Sequence, residues 1–282
     1  MEPLRVGRVR YINCEPVYYG LERGLVPFPF VLVDGTPTEL NDRLRGGELD
    51  VSVISALEYA VRPERYRLLP DLAIACDGAV GSVLLLSHVP VEELGARTVG
   101  LPASSMTSIY LLRLLFEDWL GIRPDARLDA PDPAAVLLIG DEALRARAKS
   151  AYPYVLDLGE AWKAWTGLPF VFAVWAVREE IHRERREDVR ALHRALLASK
   201  AESCRALEDI ADAVRGRVGM TREACLAYLR DQLDFDLTPR HLEGLTTFLQ
   251  KLVAGGDLSS LPPLRFIDTP PSASVVCVAP RL

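Results

Sequence analysis

The amino-acid sequence predicts an α/β protein of two lobes with a ligand cleft between them. Three observations predict this fold class. Strand-like and helix-like segments alternate over residues 4–59, a second alternating unit occupies residues 88–176, and residues 179–254 are helical in pattern almost throughout. Such alternation is typical of parallel sheets with crossover helices. Because open sheets of this type bind ligands at the carboxyl ends of their strands, two facing lobes would enclose a cleft there.

The first unit contains strand and helix signals in a regular order. A helix is expected to begin at Glu15 and Pro16, since proline is tolerated in a first turn. Another is expected after Thr36, where Glu39 stands three residues on in the pattern of a capping box. The strands of this part of the chain are predicted at residues 4–9, 28–33, 50–55, 68–75 and 81–87.

The second unit continues the alternation and sets the predicted division into lobes. An apolar helix is expected over residues 109–120 and ends at Gly121. The strands here are predicted at residues 98–101, 135–139, 155–158 and 170–177. We therefore predict a discontinuous lobe 1 of residues 1–87 and 177–282, which includes the C-terminal helices. Residues 88–176 would form an inserted lobe 2.

Composition and charge limit the classes of partner. The 282 residues are 49% apolar and 26% charged, which is typical of a globular protein, and the net charge of −6 argues against general nucleic-acid binding. The chain opens without the basic and apolar pattern of a secretory leader, and it contains no apolar run of about 18 residues. We therefore expect a cytoplasmic protein with a small-molecule partner and neither a nucleic-acid nor a membrane partner.

The common cofactor and metal motifs are missing from the sequence. There is no GxGxxG after the first strand and no GxxxxGK[ST], which argues against a nucleotide phosphate site. There is no HExxH, no CxxC and no carboxylate cluster for a metal, and no GxSxG that would indicate a nucleophile elbow. The sequence therefore predicts neither a metal nor an organic cofactor.

Small polar residues and glycine recur where predicted strands end and helices begin. These residues are Asn13, Ser55, Thr107, Ser108, Gly140 and Asp141. Helix starts offer unpaired N–H donors that suit a carboxylate or phosphate, so the pattern predicts an anion site. The alternative is that each residue is only a helix N-cap. Ser82 begins a strand beside the predicted crossover between lobes, where the cleft would lie.

An aromatic concentration surrounds residues 167–169 and has two interpretations. Its members are Trp162, Trp165, Phe170, Phe172 and Trp175. They would form either a packed core at the junction of the lobes or an apolar wall that covers a flat ring in the cleft.

Several blocks of the sequence together resemble a known family. The opening GRVRYINCEP of residues 7–16 resembles the GRVxYLNxxP start of the chorismate dehydratases, which belong to the futalosine route of menaquinone biosynthesis. Further blocks similar to this family are residues 49–59, 77–83, 107–108, 138–143, 157–162 and 165–173. Two positions depart from the family pattern, since Ala56 replaces a serine and Ala79 a proline.

The resemblance implies a type-2 periplasmic-binding-protein fold used as an enzyme without a cofactor. The implied reaction is the loss of water from chorismate to give 3-[(1-carboxyvinyl)oxy]benzoate. Asn13 and Ser82 are the implied catalytic residues. Substrate-binding roles are expected for Ser55, Thr107, Ser108, Gly140 and Asp141. Neither an amide nor an unaided serine is a good base, so a substrate carboxylate is hypothesised to accept the proton.

Two alternative functions remain open from the sequence. One is the sister enzyme of the same pathway, 1,4-dihydroxy-6-naphthoate synthase, on the same fold. The other is a solute-binding or sensor protein without catalytic activity. Turnover of chorismate would separate the leading hypothesis from both alternatives.

Overall fold

The computed structural model of the protein describes residues 2–128, 130–149 and 151–268, and its framework is two mixed β-sheets of five strands each. In spatial order, the first sheet consists of β2 (Val31–Gly35), β1 (Arg5–Val9), β3 (Val51–Ser55), β10 (Phe170–Arg178) and β4 (Tyr66–Cys76). The second consists of β7 (Asp125–Leu128), β6 (Thr98–Leu101), β8 (Ala135–Ile139), β5 (Val83–Ser87) and β9 (Tyr154–Asp157). The predicted α/β class with two lobes is thereby confirmed.

Helices connect the strands and extend the C-terminal part of the chain. They are α1 (Glu15–Glu22), α2 (Pro37–Arg45), α3 (Ala56–Val61), α4 (Met106–Leu114), α5 (Gly140–Ala148), α6 (Leu158–Thr166), α7 (Glu179–Glu184), α8 (Arg186–Arg205), α9 (Leu207–Val218), α10 (Arg222–Ala227) and α11 (Pro239–Ala254). Wider helical turns continue α4 over Leu115–Leu120 and α10 over Tyr228–Gln232. Short 3₁₀ segments occupy Pro63–Arg65 and Val91–Ala96.

Each sheet has the same mixed design. β1 is parallel to both β2 and β3, while β10 is antiparallel to β3 and β4. In the second sheet, β6 is parallel to β7 and β8, while β5 is antiparallel to β8 and β9. The interior strands β3 and β5 are buried almost along their whole length. Such strands read as continuous apolar runs, which is why the sequence shows them clearly.

The sheets place the lobe boundaries differently from the sequence-based division. If each lobe is defined by its sheet, Val83–Ser87 belongs to lobe 2 and Phe170–Arg178 belongs to lobe 1. The predicted division at 87/88 and 176/177 assigned β5 and most of β10 to the opposite lobes. The reason is that strand pairing across the sheet decides membership, and local sequence does not encode it. Residues 269–282 of the predicted lobe 1 lie outside the described residues.

The C-terminal helices support the start of the chain. The backbone N–H of Gly20 in α1 donates to the Ser199 hydroxyl of α8 at 2.9 Å. Also in α8, the buried Lys200 ammonium pairs with Asp236 at 2.6 Å. α1 begins two residues after Asn13, at Glu15, so α8 helps to fix the helix that follows this candidate residue.

The aromatic concentration is mostly core. Trp162 packs edge-to-face on Phe170 and Phe248, with ring centroids 5.2 and 6.2 Å apart, and all three side chains are buried. Trp175 is also buried, and its indole N–H donates to the Tyr18 hydroxyl at 3.1 Å. The packed-core interpretation therefore holds for these residues.

None of the helices in the described ranges is long and apolar enough to cross a membrane.

Candidate active site

A cleft lies between the two sheets and is lined from both lobes. Its volume is about 90 Å³, several times what one water molecule needs. Its polar lining consists of Tyr11, Asn13, Asn41, Ser55, Ser82, Ser104, Ser105, Thr107 and Ser108. Its other lining residues are Val9, Cys14, Pro37, Val53, Ile54, Ile74, Val80, Val83, Met106, Ile139, Gly140, Phe172 and Ala173. Six of the seven predicted site residues are therefore brought together, and Asp141 is the exception.

Asn13 lies in the tight connection between β1 and α1. The Cys14 N–H donates to the Tyr11 carbonyl at 3.0 Å, and the Glu15 N–H donates to the Ile12 carbonyl at 3.3 Å. These successive turns present the Asn13 amide to the cleft. Its Oδ1 atom is buried and has no hydrogen-bond partner within the described residues. An unpaired buried amide oxygen is costly, and its position in a cleft suggests that a ligand satisfies it.

Ser82 lines the cleft from lobe 2 and lies immediately before β5. Its side chain is 0% exposed, and Oγ has no hydrogen-bond partner in the part of the chain that the structure describes. The preceding Val80 and Gly81 N–H groups both donate to the Asp157 carboxylate, at 3.0 and 2.7 Å. Gly81 has a φ of +70°, which favours glycine at this turn.

Ser55 and Thr107 combine a structural contact with a place in the cleft wall. The Ser55 hydroxyl accepts the Glu58 N–H at 3.1 Å, so the N-cap interpretation is confirmed for this residue. The Thr107 hydroxyl accepts the Leu57 N–H at 3.1 Å and thereby joins the lobes. A hydroxyl can accept and donate at the same time, so each keeps its proton for a ligand. The third predicted hydroxyl, Ser108, lines the cleft one residue further along α4.

Gly140 brings lobe 2 close to Tyr11 of lobe 1. A Cβ atom at position 140 would lie 2.6 Å from the nearest atom of the Tyr11 ring, and the backbone φ is +57°. Both features require glycine here. The contact closes one side of the cleft.

Asp141 lies behind the cleft wall instead of lining it. Its carboxylate accepts the Ile12 N–H at 2.8 Å and faces Arg217 at 3.4 Å. Arg217 also bonds the Glu15 carboxylate and the Arg10 carbonyl. Burial raises the pKa of Asp141, while the Ile12 N–H and Arg217 act in the opposite direction. Asp141 therefore holds the backbone next to Asn13 across the lobe interface, a contact that its predicted substrate-binding role did not anticipate.

Cys14 lines the cleft but is a poor nucleophile. Burial raises the pKa of its thiol far above the usual range, and the Glu15 and Asp141 carboxylates act in the same direction. The thiol therefore stays protonated at neutral pH, and thiolate is the reactive form.

The donors of the cleft are neutral. Within the described residues, no Lys, Arg, His, Asp or Glu side chain lines it. An anion bound here would be held by hydroxyl, amide and backbone N–H donors. The apolar wall includes Phe172, so the second interpretation of the aromatic concentration applies to that one ring.

Sequence reasoning missed Asn41 as a cleft residue. It is 2% exposed, and its Oδ1 accepts the Ser55 N–H at 3.4 Å, which leaves the amide N–H groups for the cleft. A signal existed in the sequence, because Asn41 follows Leu40 and precedes Leu44 on the buried side of α2. A polar residue beside the apolar stripe of a helix is informative, since buried polar groups require partners.

Comparisons with known proteins agree with this architecture. A family model described as menaquinone biosynthesis matches residues 4–254. Chorismate dehydratase of Thermus thermophilus is 34% identical over 242 residues, which cover 78% of this chain and 84% of that protein. A 1,4-dihydroxy-6-naphtoate synthase of the same organism is 26% identical over 226 residues, which cover 76% and 79%.

A solved structure shows the same fold at low sequence identity. The periplasmic aliphatic sulphonate binding protein SsuA of Escherichia coli superposes with a TM-score of 0.66 and 12% identity, covering 95% of this chain and 98% of that one. The predicted periplasmic-binding-protein-like fold is therefore confirmed.

Proposed function

Since the chain belongs to the menaquinone biosynthesis family, we propose that it is a hydro-lyase that converts chorismate to 3-[(1-carboxyvinyl)oxy]benzoate and water. One observation carries the proposal. Asn13 from lobe 1 and Ser82 from lobe 2 face one cleft, and each has a buried oxygen without a hydrogen-bond partner among the described residues. The higher identity to a chorismate dehydratase than to a naphthoate synthase supports this reaction over the sister reaction.

The cleft suits a substrate that has two carboxylates and a six-membered carbon ring. Hydroxyl donors from both lobes would hold the carboxylates, with Ser55 on lobe 1 and Thr107 and Ser108 on lobe 2. Apolar side chains such as Ile74 and Phe172 would pack on the ring. Neutral donors lower the basicity of a bound carboxylate less than a Lys or Arg side chain would.

The chemistry requires little of the protein beyond orientation and charge stabilisation. The C3–H and C4–O bonds of the ring break, a new double bond completes the aromatic ring, and the proton and hydroxide leave as water. Aromatisation supplies the driving force, and the site must align the groups and stabilise the departing hydroxide. Asn13 Oδ1 would accept the proton of the C4 hydroxyl in the bound substrate, and the Asn13 NH2 group would donate to the leaving oxygen as the C4–O bond breaks. The Ser82 hydroxyl would donate to a substrate oxygen beside it.

The proton acceptor in this proposal is a carboxylate of the substrate itself. Asp141, which follows the lining residue Gly140, is turned toward the Ile12 N–H and Arg217. Within the described residues, no other acidic side chain lines the cleft either. Proton transfer within the substrate also needs no diffusion step once the substrate is held in a reactive conformation.

The test is turnover of chorismate by the purified protein. Aromatic absorbance and product mass should both report dehydration, and Ser82→Ala should lower kcat by about 10²–10³-fold, as loss of a transition-state donor does. Ser87→Ala is the matched control, because this buried serine of β5 donates to the Val89 carbonyl away from the cleft. Ser87→Ala should leave kcat unchanged.

The remaining outcomes identify the alternatives. Chorismate binding without conversion would support a sensor or solute-binding protein. Neither binding nor conversion would favour the sister enzyme or another activity.

A further inference from the structure

Tyr228 is a buried tyrosine whose hydroxyl has no evident structural task. It begins the wide helical turn Tyr228–Gln232 that follows α10, and its side chain is 1% exposed. Its hydroxyl has no hydrogen-bond partner in residues 2–128, 130–149 and 151–268. Buried tyrosine hydroxyls normally find a partner, so an unpaired one calls for an explanation.

The ring of Tyr228 lies against the turn that carries Ser82. A Cβ atom at Gly81 would be 3.2 Å from Cδ2 of Tyr228 and would also collide with the side chain of Gln232. The segment after α10 therefore packs directly behind the backbone of the catalytic candidate. The Ser82 hydroxyl, like that of Tyr228, is buried and lacks a partner within the described residues. Tyr228 thus lies against Gly81, the residue before Ser82, and the two hydroxyls are close enough for that of Ser82 to lower the pKa of the Tyr228 phenol. Ser82 is on the cleft side.

The protonation state of Tyr228 fixes the direction of any hydrogen bond between the two hydroxyls and the substrate. Burial raises the pKa of the Tyr228 phenol well above its usual range, and the neighbouring Ser82 hydroxyl lowers it by less. The phenol is therefore a neutral donor at physiological pH. A serine hydroxyl has a single proton and two acceptor sites. If that proton points to Tyr228, Ser82 cannot donate to a substrate oxygen.

We infer that Tyr228 is a positioning residue that donates to Ser82 Oγ and thereby directs the only Ser82 proton into the cleft. This inference rests on the proposed function. The Ser82 hydroxyl faces two possible acceptors, the Tyr228 oxygen and an anionic oxygen of the substrate. The substrate oxygen is the stronger acceptor, so the Ser82 proton is expected to point to it. The chain of donors then runs from Tyr228 to Ser82 to the substrate. The C-terminal helical part of the chain, through Tyr228, thus acts on the reaction without touching the substrate.

A double-mutant cycle tests this inference. Tyr228→Phe removes the hydroxyl and keeps the ring against Gly81. In the otherwise unchanged protein it should lower kcat about 10-fold, the effect of one hydrogen bond, while KM changes less than about 2-fold. In the Ser82→Ala background the same substitution should have no further effect on kcat, because the group it positions is absent. Product mass after long incubation measures the slow variants.

A second tyrosine serves as the control. Tyr59→Phe removes another hydroxyl, which donates to the Pro263 carbonyl and accepts the Arg265 N–H away from the cleft. It should leave kcat unchanged, and thermal unfolding of each variant separates loss of fold from loss of alignment.

Each other outcome overturns the inference. An unchanged kcat in Tyr228→Phe, or an equal loss with and without Ser82, would show that Tyr228 does not act through Ser82. In both cases an active wild-type protein leaves the proposed function intact. A wild-type protein that does not convert chorismate overturns the proposed function and this inference with it.

Discussion

The two catalytic candidates face one cleft, but the chain holds them in different ways. Next to Asn13, the Ile12 N–H is bound by Asp141 from the opposite lobe. Before Ser82, the turn is bound by Asp157 from the same lobe. The carboxylate that binds the turn before Ser82 therefore belongs to lobe 2 itself, whereas one hydrogen bond to the Asn13 loop exists only while the lobes are in contact. Contact between the lobes therefore contributes directly to the geometry of the Asn13 loop.

Removal of the Asn13 amide should have the largest effect. Asn13→Ala is expected to lower kcat by about 10²–10³-fold, because the departing hydroxide loses a directed donor. The free energy of unfolding should stay within about 1 kcal/mol of wild type, since the Asn13 side chain is only partly buried and its Oδ1 is unpaired. Steady-state kinetics and urea unfolding measure the two quantities. Nearly unchanged activity would show that the site is misplaced.

Removal of the Asp157 carboxylate, which binds the turn before Ser82 within lobe 2, should have the next largest effect and should act on stability. The Asp157 carboxylate accepts four N–H groups, those of Val80, Gly81, Gly159 and Glu160, at 2.7–3.1 Å. Asp157→Ala leaves these donors without their acceptor and should cost about 3 kcal/mol of unfolding free energy. Chemical denaturation measures the loss.

An exposed aspartate of the same lobe is the control for this change. Asp125 pairs with Arg127 on the surface of β7, so Asp125→Ala should cost less than about 0.5 kcal/mol. Equal losses for the two variants would contradict the view that Asp157 organises the turn before Ser82.

Weakening the contact that Asp141 makes with the Asn13 loop across the lobes should have the smallest effect. Asp141→Asn keeps an acceptor for the Ile12 N–H but removes the charge that faces Arg217, and kcat/KM should fall about 3–10-fold. The exposed neighbour Glu142→Gln is the matched control and should leave kcat/KM unchanged. An equal decrease in kcat/KM in both variants would show that Asp141 does not act through the Asn13 loop.

The pH dependence of stability gives Asp141 a second signature. The folded protein raises the pKa of this carboxyl above 3.8, mainly through burial, so the folded state binds a proton more tightly than the unfolded state. The contribution of Asp141 to stability therefore falls as pH rises from 3.8 through the raised pKa, whereas Asn at this position cannot ionise. Urea unfolding of both proteins from acid to neutral pH should show the stability advantage of wild type shrinking as pH rises. A growing advantage would contradict the direction of the shift.

Much of the fold was predictable because its signals are local. Buried strands such as β3 and β5 are short apolar runs, and the capping box at Thr36 forms as its sequence indicates. β7 was missed because its four residues are all exposed, so neither alternation nor an apolar run marks it. It exists through pairing with β6, and that pairing is a contact between distant segments.

The sequence by itself determined the alternation of strands and helices, the family resemblance and the polar residues that end the strands. Asn13, Ser82 and the hydroxyls of Ser55 and Thr107 meet because strand ends converge at the edges of their sheets. Only the tertiary structure decided which sheet β5 and β10 join, that Asp141 turns away from the cleft and that Tyr228 lies behind Ser82. The physical reason is that these features depend on pairing and packing between segments far apart in the chain, which local periodicity and capping do not encode.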